Sequence, residues 1–153
     1  MAEAAPGTAF HIRELQEGDL ERVIEIDALH TGEAKRSYWG RVFREFLAGG
    51  EGPARVALAA EHGGRMVGYI LGEVRAFEFG SEACGWIFAA GVDPERLRAG
   101  IASGLLEAAC RSFQEAGIRD VRTMVRRNNV PVLSFFRANG FVGGSFVQLE
   151  RGV

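Results

Sequence analysis

The 153-residue sequence has no apolar run long enough to cross a bilayer, which takes about 20 consecutive residues, so no membrane-spanning segment is expected. Charge of one sign is also missing. Its 18 Lys and Arg against 20 Asp and Glu leave a net charge of −2, which supplies no long-range attraction to nucleic acid or to an anionic membrane surface. Cysteine is scarce: Cys84 and Cys110 fall in a predicted strand and a predicted helix, which suits small-hydrophobe packing in a reducing, cytoplasmic setting better than a disulfide. No histidine pairing suggests a catalytic thiol. The three histidines, His11, His30 and His62, show no metal-ligand spacing, so no metal is expected. Residues 1–8 lack the basic start and apolar stretch of a leader peptide; a flexible tail over residues 1–9 and one domain over 10–153 are the expectation.

What is present is a 47% hydrophobic chain with α and β periodicities in alternation, enough for one packed core. Phe10 to Leu15 predicts a first strand, and Gly18-Asp19 a stop and helix N-cap. Leu20, Val23, Ile24 and Ala28 then mark a helix, and a second, with Ser37 as N-cap, carries the stripe Trp39, Val42, Phe43, Phe46 and Leu47 to Gly49-Gly50. Arg55 to Glu61 and Arg65 to Arg75 predict a hairpin around His62-Gly63-Gly64. Ala83 to Val92 is a fourth strand, paired so that Glu73 faces about Trp86. A helix over Gly100 to Ala116, a strand over Asp120 to Arg126, a helix from Pro131 to Asn139-Gly140 and a last strand over Phe141 to Glu150 complete the chain.

The segment Val92 to Leu106, VDPERLRAGIASGLL, puts a strand, a tight loop and a helix start in sequence. A helix start leaves backbone N–H groups without internal partners and carries partial positive charge, so it stabilises a phosphate. Ala99, Gly100, Ile101, Ala102 and Ser103 would present those amides, with Arg98 adding charge from the side. No Lys follows Gly100, which excludes a nucleotide-hydrolysing P-loop, and a three-glycine dinucleotide fingerprint is absent. A plain Asp93-Pro94 turn with Gly100 as helix entry is the alternative.

This segment resembles motif A of the GCN5-related N-acetyltransferase (GNAT) family, Val-x-Pro followed by Arg/Gln-x-x-Gly-x-Gly/Ala, with Val92, Pro94, Gly100 and Ala102 on its positions and Leu97 departing from it. Asn129 to Phe141 is similar to the family's motif B, with Asn129, Val132, Phe136 and Gly140-Phe141 on its anchors. The resemblance implies an α/β fold of the α+β type: one mixed, mostly antiparallel sheet flanked by helices and splayed between the fourth and fifth strands. It implies acetyl-CoA as cosubstrate, its pyrophosphate on the 98–103 loop, its pantetheine arm against Gly91 and Val92, and contacts from Asn129 and Phe136. Arg126 and Arg127 are further candidates for CoA phosphate. A homodimer is the family-based expectation.

The implied reaction is transfer of acetyl to a primary amine by direct attack, which needs a group to take the amine proton. Trp86 and Met124 stand where branches of the family carry a glutamate, so the carboxylate candidates are Glu73, by cross-strand register, and Glu82, by its alternation with Trp86. Phe136 replaces the tyrosine that many relatives use to protonate the thiolate; Tyr38, at a helix start over the acceptor side, is the substitute candidate. Three readings stay open: a working acetyltransferase, a non-catalytic acyl-CoA-binding regulatory module, and a structural or interaction domain.

Overall fold

The structure, a computed structural model, describes residues 9–49, 54–97 and 99–153. They belong to two compact units, Met1–Thr123 and Met124–Val153. The expected tail falls, except for Ala9, outside the described residues.

The first unit is built on a five-stranded sheet in the order β1 (His11–Glu14), β2 (Arg55–His62), β3 (Arg65–Arg75), β4 (Cys84–Val92) and β5 (Val121–Thr123). The first four strands run antiparallel to their neighbours and β5 runs parallel to β4. Gly63 and Gly64, at φ 60° and 77°, close the β2–β3 hairpin, because a two-residue turn there needs left-handed backbone that glycine adopts without strain. Odd-numbered residues of β3 face one side of the sheet, where Tyr69 and Leu71 join Ala59, Val23, Ile26 and Trp39 in the core. That side is covered by α1 (Leu20–Thr31) and α2 (Arg36–Leu47). On the opposite side lies α3 (Ile101–Glu115), whose Ile101, Leu105, Ala109 and Phe113 recur at helical spacing and are all buried. It sits close because the sheet beneath lacks side chains: Cβ atoms at Gly72 and Gly85 would come 2.9 and 2.8 Å from the Phe113 ring.

Two irregularities shape the far end of β4. Gly72 pairs with Ile87 but Leu71 with Ala89, so Phe88 is an extra residue, a β-bulge on β4. The pairing of β4 with β5 ends at Ile87↔Thr123, where Thr123 Oγ1 donates to the Ile87 carbonyl at 3.0 Å, and Phe88 to Val92 run on without that neighbour. The expected splay between the fourth and fifth strands is located there.

Local capping differs from expectation. Asp19 precedes α1, but its carboxylate does not cap it; Oδ1 and Oδ2 accept from Arg13 at 2.9 and 2.8 Å, and Oδ2 accepts from Gln16 N at 2.8 Å. The α2 helix starts at Arg36, one residue ahead of Ser37, with no side-chain cap.

The second unit holds α4 (Val130–Ala138), capped by Asn129, whose side chain accepts from Val132 N at 3.3 Å. Phe136 packs edge-on between Phe135 and Phe141, at ring distances of 5.2 and 5.1 Å. The predicted strand over Phe141 to Glu150 does not form among the described residues. Gly143 and Gly144 interrupt it, and Val142, Val147 and Leu149 remain exposed, so its alternating pattern has no buried face to fix a register. The strand predicted over Asp120 to Arg126 is likewise only Val121–Thr123.

Candidate active site

At the mouth of α3, Gly100 has φ 78°, a conformation that an L side chain resists, and a Cβ there would meet nothing within 4 Å. The first backbone bond of the helix runs from Gly104 N to Gly100 O at 2.9 Å, so the N–H groups of Ile101, Ala102 and Ser103 lack intrahelical partners. Ala99 and Ala102 are half-buried and Ser103 is exposed. Arg98 lies outside the described residues, and Leu97 is exposed.

The loop between β4 and α3 is held from α1. Arg22 Nη2 meets Asp93 Oδ2 at 2.5 Å while its Nε donates to Met66 O at 2.9 Å, and Asp93 Oδ1 accepts from Glu95 N at 3.0 Å. Burial pushes the Asp93 carboxyl upward, but the Glu95 N–H and the Arg22 guanidinium outweigh it and hold it below the usual carboxylate value.

The peptide groups at the end of β4 follow from its ladder. Asp93 N donates to Val67 O at 2.8 Å, so Val67 and Asp93 form a hydrogen-bonded pair, and alternation turns Gly91 toward Tyr69 while Ala90 and Val92 turn away from β3. The Val92 carbonyl accepts from His30 Nε2 at 2.6 Å. Ala90 and Val92 therefore direct N–H groups to the edge that β5 has left. Of the two strand-end residues expected to meet the cofactor, Val92 does present its N–H to this edge; the backbone of Gly91 is engaged with β3, and its missing side chain makes room for Tyr69.

On the α1–α2 side of this strand end lies a depression of about 350 Å³ bordered by Asp27, Lys35, Tyr38, Tyr69, Ala89 and Ala90. Asp27 Oδ2 accepts from Trp39 Nε1 at 3.0 Å and from Lys35 Nζ at 3.1 Å, leaving Oδ1 without a hydrogen-bond partner among the described residues. Tyr69 is 2% exposed and packs edge-on against Trp39 at 5.5 Å, and its hydroxyl has no protein partner among the described residues. Burial, helped by the Asp27 and Tyr38 charges, pushes its phenol well above the ordinary value, so it is a neutral hydrogen-bond donor at physiological pH.

A second depression, about 300 Å³, adjoins the first at Tyr38 and Phe88 and is bordered by Arg41, Glu45, Glu73 and Arg75. Two of the three predicted catalytic residues, Tyr38 and Glu73, thus lie along one opening. The pairing Glu73↔Trp86 is as the register predicts; Glu73 Oε1 meets Arg75 Nε at 3.4 Å, and the Arg75 guanidinium lies 5.1 Å from the Trp86 ring centre. Burial raises the Tyr38 hydroxyl too, against the lowering charge of Arg41. Glu82 is not brought to the opening: it is exposed and precedes β4. Asn129 and Phe136 stand in the second unit, as do Arg126 and Arg127, which are exposed.

Asp27 and Tyr69 are absent from the sequence-based set. Asp27 shares the α1 face of Leu20, Val23 and Ile24, and a carboxylate on an apolar stripe was the available signal. Tyr69 carried none, since a tyrosine in a central strand is ordinary core.

Among the described residues no helix is long and apolar enough to cross a membrane, and no group of three or more His, Cys, Asp or Glu could hold a metal ion. The model of the acetyltransferase (GNAT) family matches residues 20–141. A mycothiol acetyltransferase of Pseudarthrobacter chlorophenolicus is 30% identical over 89 residues, which is 58% of this chain and 28% of that protein. One from an Arthrobacter species matches to the same extent, so the chain spans less than a third of the curated relatives it matches. Among solved structures, an aminoglycoside acetyltransferase, AAC(6′)-Iy, in complex with a CoA-linked bisubstrate analogue superposes with a TM-score of 0.81 at 18% identity, over 95% of this chain and 99% of that one. A transcriptional regulator from Bacillus halodurans gives 0.78 at 19% identity, over 95% and 100%. At these identities the likeness is one of fold.

Proposed function

The chain belongs to the GNAT acetyltransferase family, and from that premise we propose that it transfers an acetyl group from acetyl-CoA to a primary amine by direct attack. The observation that carries the proposal is the depression in which Asp27 and Tyr69 meet Ala89 and Ala90, beside the stretch of β4 that has lost its β5 neighbour. The N–H groups of Ile101, Ala102 and Ser103 would take the pyrophosphate, and those of Ala90 and Val92 the pantetheine arm and the thioester carbonyl. Roles for Asn129 and Phe136 toward the cofactor rest on motif B.

The amine nitrogen would attack the thioester carbon, its proton passing to the free Asp27 oxygen, and a tetrahedral intermediate would form. Collapse breaks the C–S bond. The departing thiolate would be hydrogen-bonded by the Tyr69 hydroxyl and then protonated by solvent. Asp27 is preferred to Glu73 because it shares the depression with Ala89 and Ala90, whereas Glu73 lines the neighbouring one and is engaged with Arg75. A relative's name, mycothiol acetyltransferase, and a neighbour's, aminoglycoside acetyltransferase, support amine acetylation as the reaction class.

Thermal-shift titration with acetyl-CoA tests the first half: ligand at a hundred times its dissociation constant adds about 2.7 kcal/mol. Release of CoA thiol with a panel of primary amines tests the second. Cofactor binding without release with any amine would leave a non-catalytic acyl-CoA-binding module, and no binding would remove both.

A further inference from the structure

The lining of the two depressions restricts the acceptor further, and this step rests on the acetyl-transfer reading above. Their charged residues are three acids, Asp27, Glu45 and Glu73, and three bases, Lys35, Arg41 and Arg75. Each acid already faces a base: Asp27 with Lys35 at 3.1 Å, Glu73 with Arg75 at 3.4 Å and Glu45 with Arg41 at 3.8 Å. A polycation needs several carboxylates that are not so matched, because every further ammonium must displace a resident cation. In the depression bordered by Ala89 and Ala90 an incoming amine finds a single acid, Asp27, with one oxygen not already taken by Trp39 or Lys35.

Both arginines line the second depression, away from Asp27. A guanidinium has five N–H donors. That of Arg75 uses one, Nε toward Glu73, and that of Arg41 makes no hydrogen bond among the described residues, its carboxylate contact being 3.8 Å. Both lie over aromatic rings, Arg41 5.7 Å from the centre of Tyr38 and Arg75 5.1 Å from that of Trp86, which orients each planar fork and leaves its edge available to a planar anion. Between these arginines and Asp27 the walls are aromatic: Tyr38, Trp39, Phe46, Tyr69 and Phe88.

We infer that the acceptor is a primary amine carrying an aromatic or aliphatic body and a carboxylate. The amine lies at Asp27 and Tyr69, the body along Tyr38 and Phe88, and the carboxylate on Arg41 and Arg75.

A matched set of probes tests this: 4-(aminomethyl)benzoate, benzylamine and spermidine, each measured for CoA-thiol release and for equilibrium binding to the CoA-loaded protein. The expected result is that the benzoate exceeds benzylamine by about tenfold or more in kcat/KM and in affinity, the size of one charge-assisted contact, with spermidine weakest. In the Arg41→Gln, Arg75→Gln double variant the benzoate's advantage should shrink to about twofold or less, and Arg41→Gln alone, on an exposed helix face, is the fallback if the double variant does not fold. Benzylamine equal to the benzoate, or spermidine preferred, overturns the inference. Turnover of none of the three counts against the transferase reading, and the binding ratios then decide the acceptor class independently.

Discussion

Tyr69 and Gly91 stand directly opposite one another in the β3–β4 ladder, and a Cβ at position 91 would come 2.8 Å from the Tyr69 hydroxyl. The absent side chain decides where that hydroxyl can lie. The ring cannot yield easily, because Trp39 packs against it at 5.5 Å. Gly91→Ala should therefore destabilise the fold by about 1–3 kcal/mol through overpacking, measured as a shift in the urea midpoint. Tyr69→Phe keeps the ring and removes only the hydroxyl; stability should change by less than about 1 kcal/mol while turnover falls about tenfold or more. Unchanged turnover in Tyr69→Phe would take the hydroxyl out of the reaction.

The second prediction separates strain from charge at Gly100. Its φ of 78° penalises any L residue, while the space beyond it is open. Gly100→Ala and Gly100→Glu should both lose about 1–2 kcal/mol of stability. Only the glutamate sets a negative charge before the amides of Ile101 to Ser103. Acetyl-CoA affinity, followed by thermal shift, should drop about tenfold further in Gly100→Glu than in Gly100→Ala. Equal affinities in the two variants would mean that no diphosphate is held at the helix mouth.

Features written in short-range pattern were legible in the sequence. The Gly63-Gly64 hairpin, the helix entry at Gly100 and the Glu73↔Trp86 register each follow from local turn chemistry or from period-two counting. Counting across a hairpin cannot reveal an inserted residue, so the Phe88 bulge, which resets which peptide groups at the end of β4 face outward, was invisible. Asp19 was expected as a cap, yet Arg13, six residues away, competes for its carboxylate. Asp27 and Tyr69 escaped because a helix stripe and a strand interior each have a sufficient structural explanation. Their meeting is tertiary: α1 and β3 bring them together only after α2 has placed Trp39 between them.

The third prediction concerns Asp27. Asparagine at this position keeps the shape and an oxygen for the Trp39 Nε1 donor but loses the charge that accepts a proton. Asp27→Asn should leave acetyl-CoA affinity within about twofold and lower turnover about a hundredfold, the range for removal of a general base. The parallel variant Glu73→Gln should have the smaller effect on turnover. The reverse order, measured by CoA release under saturating amine, would transfer the role to Glu73.

The fourth prediction follows from the tie between α1 and the cofactor loop. Arg22 and Asp93 are each only 12% exposed at the side chain and meet at 2.5 Å. Asp93 also accepts from Glu95 N, so one carboxylate fastens both the loop's start and its attachment to α1. With its folded carboxyl held below the unfolded value of about 3.9, the unfolded chain binds a proton first as pH falls. The stabilisation is accordingly complete above about pH 4 and disappears as pH drops through the folded value. Asp19, similarly lowered beside Arg13, adds to the same acid limb. At pH 7, Asp93→Asn leaves the Arg22 charge without its closest partner and should cost about 2–4 kcal/mol. Between pH 5 and 3 that variant should lose less stability than the wild type, because one of the protons that drives acid unfolding has been removed from the balance. Urea midpoints at four or five pH values decide it: converging curves assign the acid limb in part to Asp93, and parallel curves would show that its pairing with Arg22 has no share in it.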